Sequence, residues 1–219
     1  MTIVDNINNI INNLDLLKKQ DEIIKLISEK KKKPELIALN NYYYNDLSKS
    51  FNKKKYLTLE ELSNIMRYKL MLGKMRPLQK KVDDNDPNTV INTTKEAFLL
   101  LKAGNLIEGL KKLIDNLDGI GIATASYIGA LVRPDICPIM YDEVIMELTG
   151  PKIKYDLKTY IKIQEKIMGV LCKLQTPPEI MRKLPISGEI VNHINNLNQK
   201  KNTITAEEIS RIIWIKEKI

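Results

Sequence analysis

Along the chain, apolar residues return every three or four positions, and no stretch alternates as a strand would, so the pattern predicts an all-α protein. Ile3, Ile7, Ile10, Ile11, Leu14 and Leu17 form one stripe with Asn and Asp opposite, which predicts an amphipathic first helix. A second helix over 21–33 places Ile23, Ile24 and Ile27 inward, and a third, opened by Pro34, carries Leu36, Ile37, Leu39 and the cluster Tyr42-Tyr43-Tyr44. Three consecutive tyrosines cannot all face one core, so at least one is expected at an interface or on the surface. Residues 51–55, Phe-Asn-Lys-Lys-Lys, read as a basic loop.

Thr58-Leu59-Glu60-Glu61 fits a capping box, in which the threonine hydroxyl and the third-position carboxylate each satisfy a free N–H. Leu62, Ile65, Met66 and Leu70 form the buried stripe of that helix, and Gly73 suits its C-terminal cap. Asp86-Pro87 starts a core helix through Val90, Ala97, Phe98 and Leu101, and Asn105 caps another that runs to Asn116. Val144, Ile145 and Leu148 mark a short helix after Asp142. A long one follows from Tyr155 to Leu174, and Thr205-Ala206-Glu207-Glu208 opens a terminal helix with a second capping box. Trp214 is expected to anchor that helix to the body.

Gly119-Ile120-Gly121 lies between two such helices, predicting a helix, a tight hairpin and a second helix over about 106–133. Leu117 and Ile120 would pin the hairpin inward. The first amides of the second helix have no internal partner and, with the helix dipole, make a ready anion site. A plain tight turn accounts for the two glycines equally well.

The 219 residues are enough for one domain, or two lobes sharing a cleft. Net charge of +8 and a pI of about 9.2 favour a polyanionic partner, although a Lys-, Asn- and Ile-rich composition also produces such charge. No apolar run reaches membrane-spanning length, so an intracellular protein is expected. Cys137 and Cys172 are too few for a disulfide framework or a cysteine-held cluster, and they read as buried apolar residues. His193, the one histidine, has no partner at metal-binding spacing, and no side-chain metal site is expected. Nor is there a Ser-His-Asp set, HExxH or phosphate-loop sequence. The lysine run 30–33 reads as a solvated helix end, or else as a nuclear-import or phosphate-contact segment. Arg67, Lys69, Lys74 and Arg76 read as charged surface, or as phosphate contacts and cleft lining.

Leu117-x-Gly119-Ile120-Gly121-x-x-Thr124-Ala125, followed by Pro138 and Asp142, resembles the helix-hairpin-helix superfamily of DNA glycosylases over about residues 110–148. Aligned through the two glycines, Asp142 falls on the family's catalytic-cleft aspartate without a gap. A eukaryotic-type subgroup is more similar still, with prolines and Asp-Glu at four-residue steps, here Pro134, Pro138 and Asp142-Glu143. It also carries a basic helix end like Tyr68-Lys69-Leu70, Gly73-Lys74 and Arg76-Pro77.

The resemblance implies a single two-lobed unit over 1–219, with the hairpin beside an interlobe cleft and residues 1–33 at its periphery. It implies Asp142 as the catalytic carboxylate, and DNA contacts from Gly119, Gly121, Ile122, Ala123 and Thr124, with Lys111, Lys112, Lys74 and Arg76 adding charge. Met140 and Tyr141 would border the base pocket. The partner implied is duplex DNA with a damaged base, bound by a monomer, nuclear in a eukaryote. No cofactor is implied beyond a monovalent cation held by hairpin carbonyls when DNA is bound. Ala123 stands where strand-cutting relatives carry a Schiff-base lysine, so base removal without lyase chemistry is expected, and the iron-sulfur cysteines of another branch are missing. Asp118 stands where many relatives have proline. A DNA-binding or protein-binding module without catalysis, with Asp142 as a helix cap, is the competing expectation.

Overall fold

In a computed structural model, residues 13–73, 77–174 and 204–219 are described; the fold is all-helical, with no strand among them. A 3-10 helix, Leu14–Lys19, leads into α1, Gln20–Lys31. Then come α2, Glu35–Asn41, a wider π turn, Tyr42–Leu47, and α3, Ser48–Lys54, as one nearly continuous run. Next are α4, Leu59–Leu72; α5, Gln79–Asp83; α6, Pro87–Lys102; and α7, Leu106–Asn116. The remainder is α8, Ile122–Val132; α9, Asp142–Thr149; α10, Leu157–Leu174; and α11, Ala206–Lys216. No described helix is long and apolar enough to cross a membrane.

One continuous apolar core runs from Ile23 on α1 to Ile215 on α11. α8 lies at its centre: Ile122 to Ala130 are all buried, Ala125, Ser126 and Ile128 completely. α6 and α7 pack closely because Gly109 has no side chain; a Cβ there would meet Leu101 Cγ at 2.7 Å. Both capping boxes form, with Thr58 and Glu61 opening α4 and Thr205 and Glu208 opening α11. Asp86 accepts from the Thr89 amide, with Pro87 in the first turn of α6.

Several elements differ from the pattern's expectation. The supposed basic loop at 51–55 is largely helical: Phe51 is 2% exposed on α3 and meets Phe98 edge-to-face at 4.7 Å, while Lys53, Lys54 and Lys55 end the helix. Core contact by the one aromatic ring outweighs the polarity of its neighbours. Gly73 ends α4 without a left-handed turn, at φ −97. Ile37 is exposed on α2. Tyr155 precedes α10 instead of lying on it. Of the first helix, residues 1–12 lie outside the described residues, and 14–19 are 3-10. His193 lies outside them too.

Candidate functional site

The 117–121 loop is held by α5 and by the residue beyond it. Leu117 and Ile120 are buried, as their apolar character predicts. Asn85 grips the backbone between them, accepting from the Asp118 amide at 2.9 Å and donating to its carbonyl at 3.0 Å. Gly119 has φ +78, and a Cβ there would meet Val82 Cγ2 at 2.9 Å and the Leu78 carbonyl at 3.1 Å. Both conformation and packing therefore require glycine at this position.

Gly121 is different. Its backbone is extended at φ −103 and ψ 176, it is exposed, and nothing lies within 4 Å of a Cβ built there. The fold therefore does not need a glycine here, and the bare backbone opens to solvent. The amides of Gly121, Ile122 and Ala123 donate to no acceptor among the described residues, whereas those of Thr124 and Ala125 return to the Gly121 carbonyl at 2.9 Å. These are the free groups that the start of a helix leaves over.

The loop borders a pocket of about 160 Å³. Gly121, Ala123 and Thr124 line one part of it, Met140, Tyr141 and Asp142 another, and Lys69 and Leu72 of α4, Gly73 after it, Tyr155, and Trp214 of α11 are among the rest of the lining, so Lys69 is cleft lining as the sequence allowed. The segment carrying Met140 to Asp142 is pinned by two buried serines. Ser126 Oγ of α8 accepts from the Met140 amide, and Ser210 Oγ of α11 from the Ile139 amide, both at 3.0 Å. Each hydroxyl also donates to a carbonyl of its own helix, Ala123 and Glu207 respectively, so no polar group is left over.

Asp142 is the first residue of α9, and Tyr141 holds the N-cap position without a side-chain cap bond. The Asp142 carboxylate accepts a hydrogen bond from the Tyr155 hydroxyl and from no backbone amide of its helix. Capping therefore does not account for Asp142, which is half-buried and faces the pocket.

Behind that wall lies an aromatic cluster. Tyr141 stacks on Trp214 at 5.5 Å and meets Tyr127 edge-on at 5.6 Å, and Tyr127 leads on to Tyr43 and Tyr68. Burial raises the pKa of Tyr43, Tyr44, Tyr68, Tyr127 and Tyr141 above the usual phenol range, so they remain neutral donors. The π turn brings Tyr43 into this core and packs Tyr44 against it, where their hydroxyls donate to the Tyr127 carbonyl and to Glu207; Tyr42 and Tyr44 are both partly buried. Glu207 pairs with Arg211 at 3.2 Å, and Arg211 reaches Gln20 of α1, so α11 is tied to the opposite end of the chain. Burial raises the Glu207 carboxyl pKa despite the guanidinium beside it.

The loop residues Gly121, Ile122, Ala123 and Thr124 thus share a pocket with Asp142, Met140 and Tyr141. Gly119 packs on α5 instead. Lys111 and Lys112 are paired with Glu108 and Glu96 and do not line the pocket. Lys74 and Arg76 lie outside the described residues. Sequence reasoning missed Tyr155 as the partner of Asp142 and Asn85 as the clamp, and no local signal marks either. The lone tryptophan was a usable signal for the Trp214 wall. Cys137 is fully buried beside the Tyr160 hydroxyl at 3.0 Å, and burial pushes its thiol pKa up to about 12. Among the described residues, no group of His, Cys, Asp or Glu is assembled to hold a metal ion. Comparison with protein-family models, curated proteins and solved structures finds no match to this chain.

Proposed function

We propose that the protein binds DNA and removes a damaged or modified base by hydrolysing its N-glycosidic bond, as a helix-hairpin-helix glycosylase does, without lyase chemistry. One observation carries the reading: a carboxylate not used as a cap and a helix start with free amides border the same pocket.

The bond breaks through a cationic, oxocarbenium-like sugar, and Asp142 supplies negative charge where that cation develops. The same carboxylate orients the attacking water or takes its proton, and the Tyr155 hydroxyl holds it in place. The extruded base enters against Tyr141 and Trp214, and its unstacking costs a few kcal/mol, least at a weakened pair. The amides of Gly121, Ile122 and Ala123 hold the neighbouring phosphate. The Gly119 and Ile120 carbonyls, which accept from no described residue, would hold a monovalent cation in the complex, adding positive charge beside that phosphate. Ala123 lines the pocket, so position 123 itself offers no amine for a Schiff base; Lys69 of α4 is the lysine on the same lining. A monomer in the compartment that holds the DNA follows from this reading.

The test is incubation with duplex oligonucleotides bearing alkylated, deaminated or oxidised bases, followed by hot alkali. Asp142→Asn keeps the side-chain shape and removes the charge. It is expected to slow base release by about 10²–10³-fold with DNA binding retained. Equal cleavage by the variant, or no abasic product from any substrate, defeats the catalytic reading. The second reading is a DNA-binding or protein-binding module without catalysis; Asp118, exposed on the loop, carries a charge that opposes phosphate and weighs against the DNA contact in either reading. Equal binding by both proteins with no abasic product supports that module.

A further inference from the structure

The C-terminal end of α1 carries Lys30, Lys31, Lys32 and Lys33, and the fold sets that end against the pocket. Lys31 Nζ donates to the carbonyls of Met71, Leu72 and Gly73 at 3.0, 2.6 and 3.3 Å. Leu72 and Gly73 line the pocket, so the lysine satisfies the last carbonyls of one of its walls. The run is not a frayed tail. Lys32 turns at φ +53, the Lys32 and Lys33 amides return to Glu29 and Ser28, and Ser28 Oγ donates to the Lys33 carbonyl at 2.8 Å. Lys218, just beyond α11, joins the group by pairing with Glu143 of the pocket lining. Lys33, Lys218 and Glu143 lie near enough to act on Lys31: after burial, the Lys33 and Lys218 charges lower its pKa, and Glu143 opposes them.

Within this group, Lys31 is spent on carbonyls and Lys218 on Glu143. Among the described residues, the side chains of Lys30 and Lys32, both exposed, and of Lys33, half-buried, hold no carboxylate.

We propose that Lys30, Lys32 and Lys33, held in position by Lys31, form a second phosphate contact on the Gly73 and Glu143 side of the pocket. The proposal rests on the DNA reading above and extends it. An extruded nucleotide leaves a distorted strand, and the strand stays distorted only if it is held at more than one point. The amides of the 117–121 loop provide one hold, and the lysine group provides the other, giving the complex much of its salt sensitivity.

The test is fluorescence anisotropy with a labelled duplex oligonucleotide containing a stable abasic-site analogue, titrated across a series of NaCl concentrations. The variant Lys30→Gln/Lys32→Gln/Lys33→Gln leaves Lys31 in place. Its slope of log affinity against log salt is expected to be shallower than the parent's by about 2–3, since each lost phosphate contact removes about 0.9. A control with the same charge change, Lys49→Gln/Lys53→Gln/Lys95→Gln, draws on exposed lysines away from the pocket and keeps the parent slope within about one contact. If the parent binds with a steep slope and the first variant matches it, the lysine contact is overturned and the DNA reading stands. If the control loses as much as the first variant, the placement is overturned in favour of diffuse charge. If the parent shows no binding, or binding indifferent to salt, both readings fall.

Discussion

Replacing Gly119 and Gly121 by alanine, one at a time, separates the packed half of the 117–121 loop from its open half. At Gly119, φ +78 costs an L-residue about 1–2 kcal/mol. The new Cβ would also lie 2.9 Å from Val82 Cγ2, and 3.1 Å from both the Leu78 carbonyl and Lys81 Cβ. Because the Leu78 carbonyl accepts from the Val82 amide at 3.2 Å, it cannot yield unless α5 moves with it. Overpacking of this kind adds about 1–3 kcal/mol. Gly119→Ala is therefore expected to lose about 2–5 kcal/mol, a large share of a domain's total stability. Gly121→Ala meets no atom within 4 Å and needs no unusual φ. It should leave stability unchanged or raise it by about 0.4–1 kcal/mol by restricting the unfolded chain. Urea unfolding followed by the fluorescence of Trp214, the one tryptophan, reads both midpoints. Coincident midpoints, or a greater loss for Gly121→Ala, would refute the assignment of the two glycines to different tasks. On the proposed DNA reading, Gly121→Ala is also expected to weaken oligonucleotide binding, because its methyl group occupies the open face assigned to a phosphate.

Asn85→Ala removes both bonds to the Asp118 backbone and is expected to cost about 1–3 kcal/mol, with faster hydrogen exchange at the Asp118 amide. An unchanged exchange rate there would show that the clamp does not hold the loop. At Glu61, burial pushes the carboxyl pKa up, but bonds from Lys54, the Thr58 amide and Ser50 outweigh burial and hold it below its ordinary 4.5. A lowered carboxyl pKa stabilises the fold above the unfolded value and loses that effect as pH falls through the folded one. Glu61→Gln is therefore expected to cost about 1 kcal/mol at neutral pH, a difference from the parent that shrinks below pH 4.5 in urea titrations. A difference constant with pH would assign the loss to packing.

The helices were legible where a local rule suffices. Thr58, Asp86 and Thr205 announce three starts because a side chain satisfies a backbone N–H a few residues away, a relation contained in a short window. The one-sided apolar face of α7 fixed its limits in the same way. Phe51 escaped because its partner, Phe98, is remote in the chain. At the pocket, the glycine loop and Asp142 stood out by local pattern and by resemblance, and the fold brings Gly121, Ala123, Thr124, Met140 and Tyr141 to the same place. The rest comes from distant segments: the end of α4, Tyr155 before α10, and Trp214 on α11. No short-range periodicity encodes that convergence, nor the bond from the Tyr155 hydroxyl that separates a pocket-facing aspartate from a helix cap.

Because Trp214 comes from the last described helix, a nascent chain leaving the ribosome has already extruded the glycine loop, Asp142 and Tyr155 while one side of the hollow still lacks its indole. Only after α11 emerges and lays Ser210 against the Ile139 amide does the enclosure acquire its final surface. Polypeptides released before that moment lack both the indole and the serine, and with them one side of the pocket.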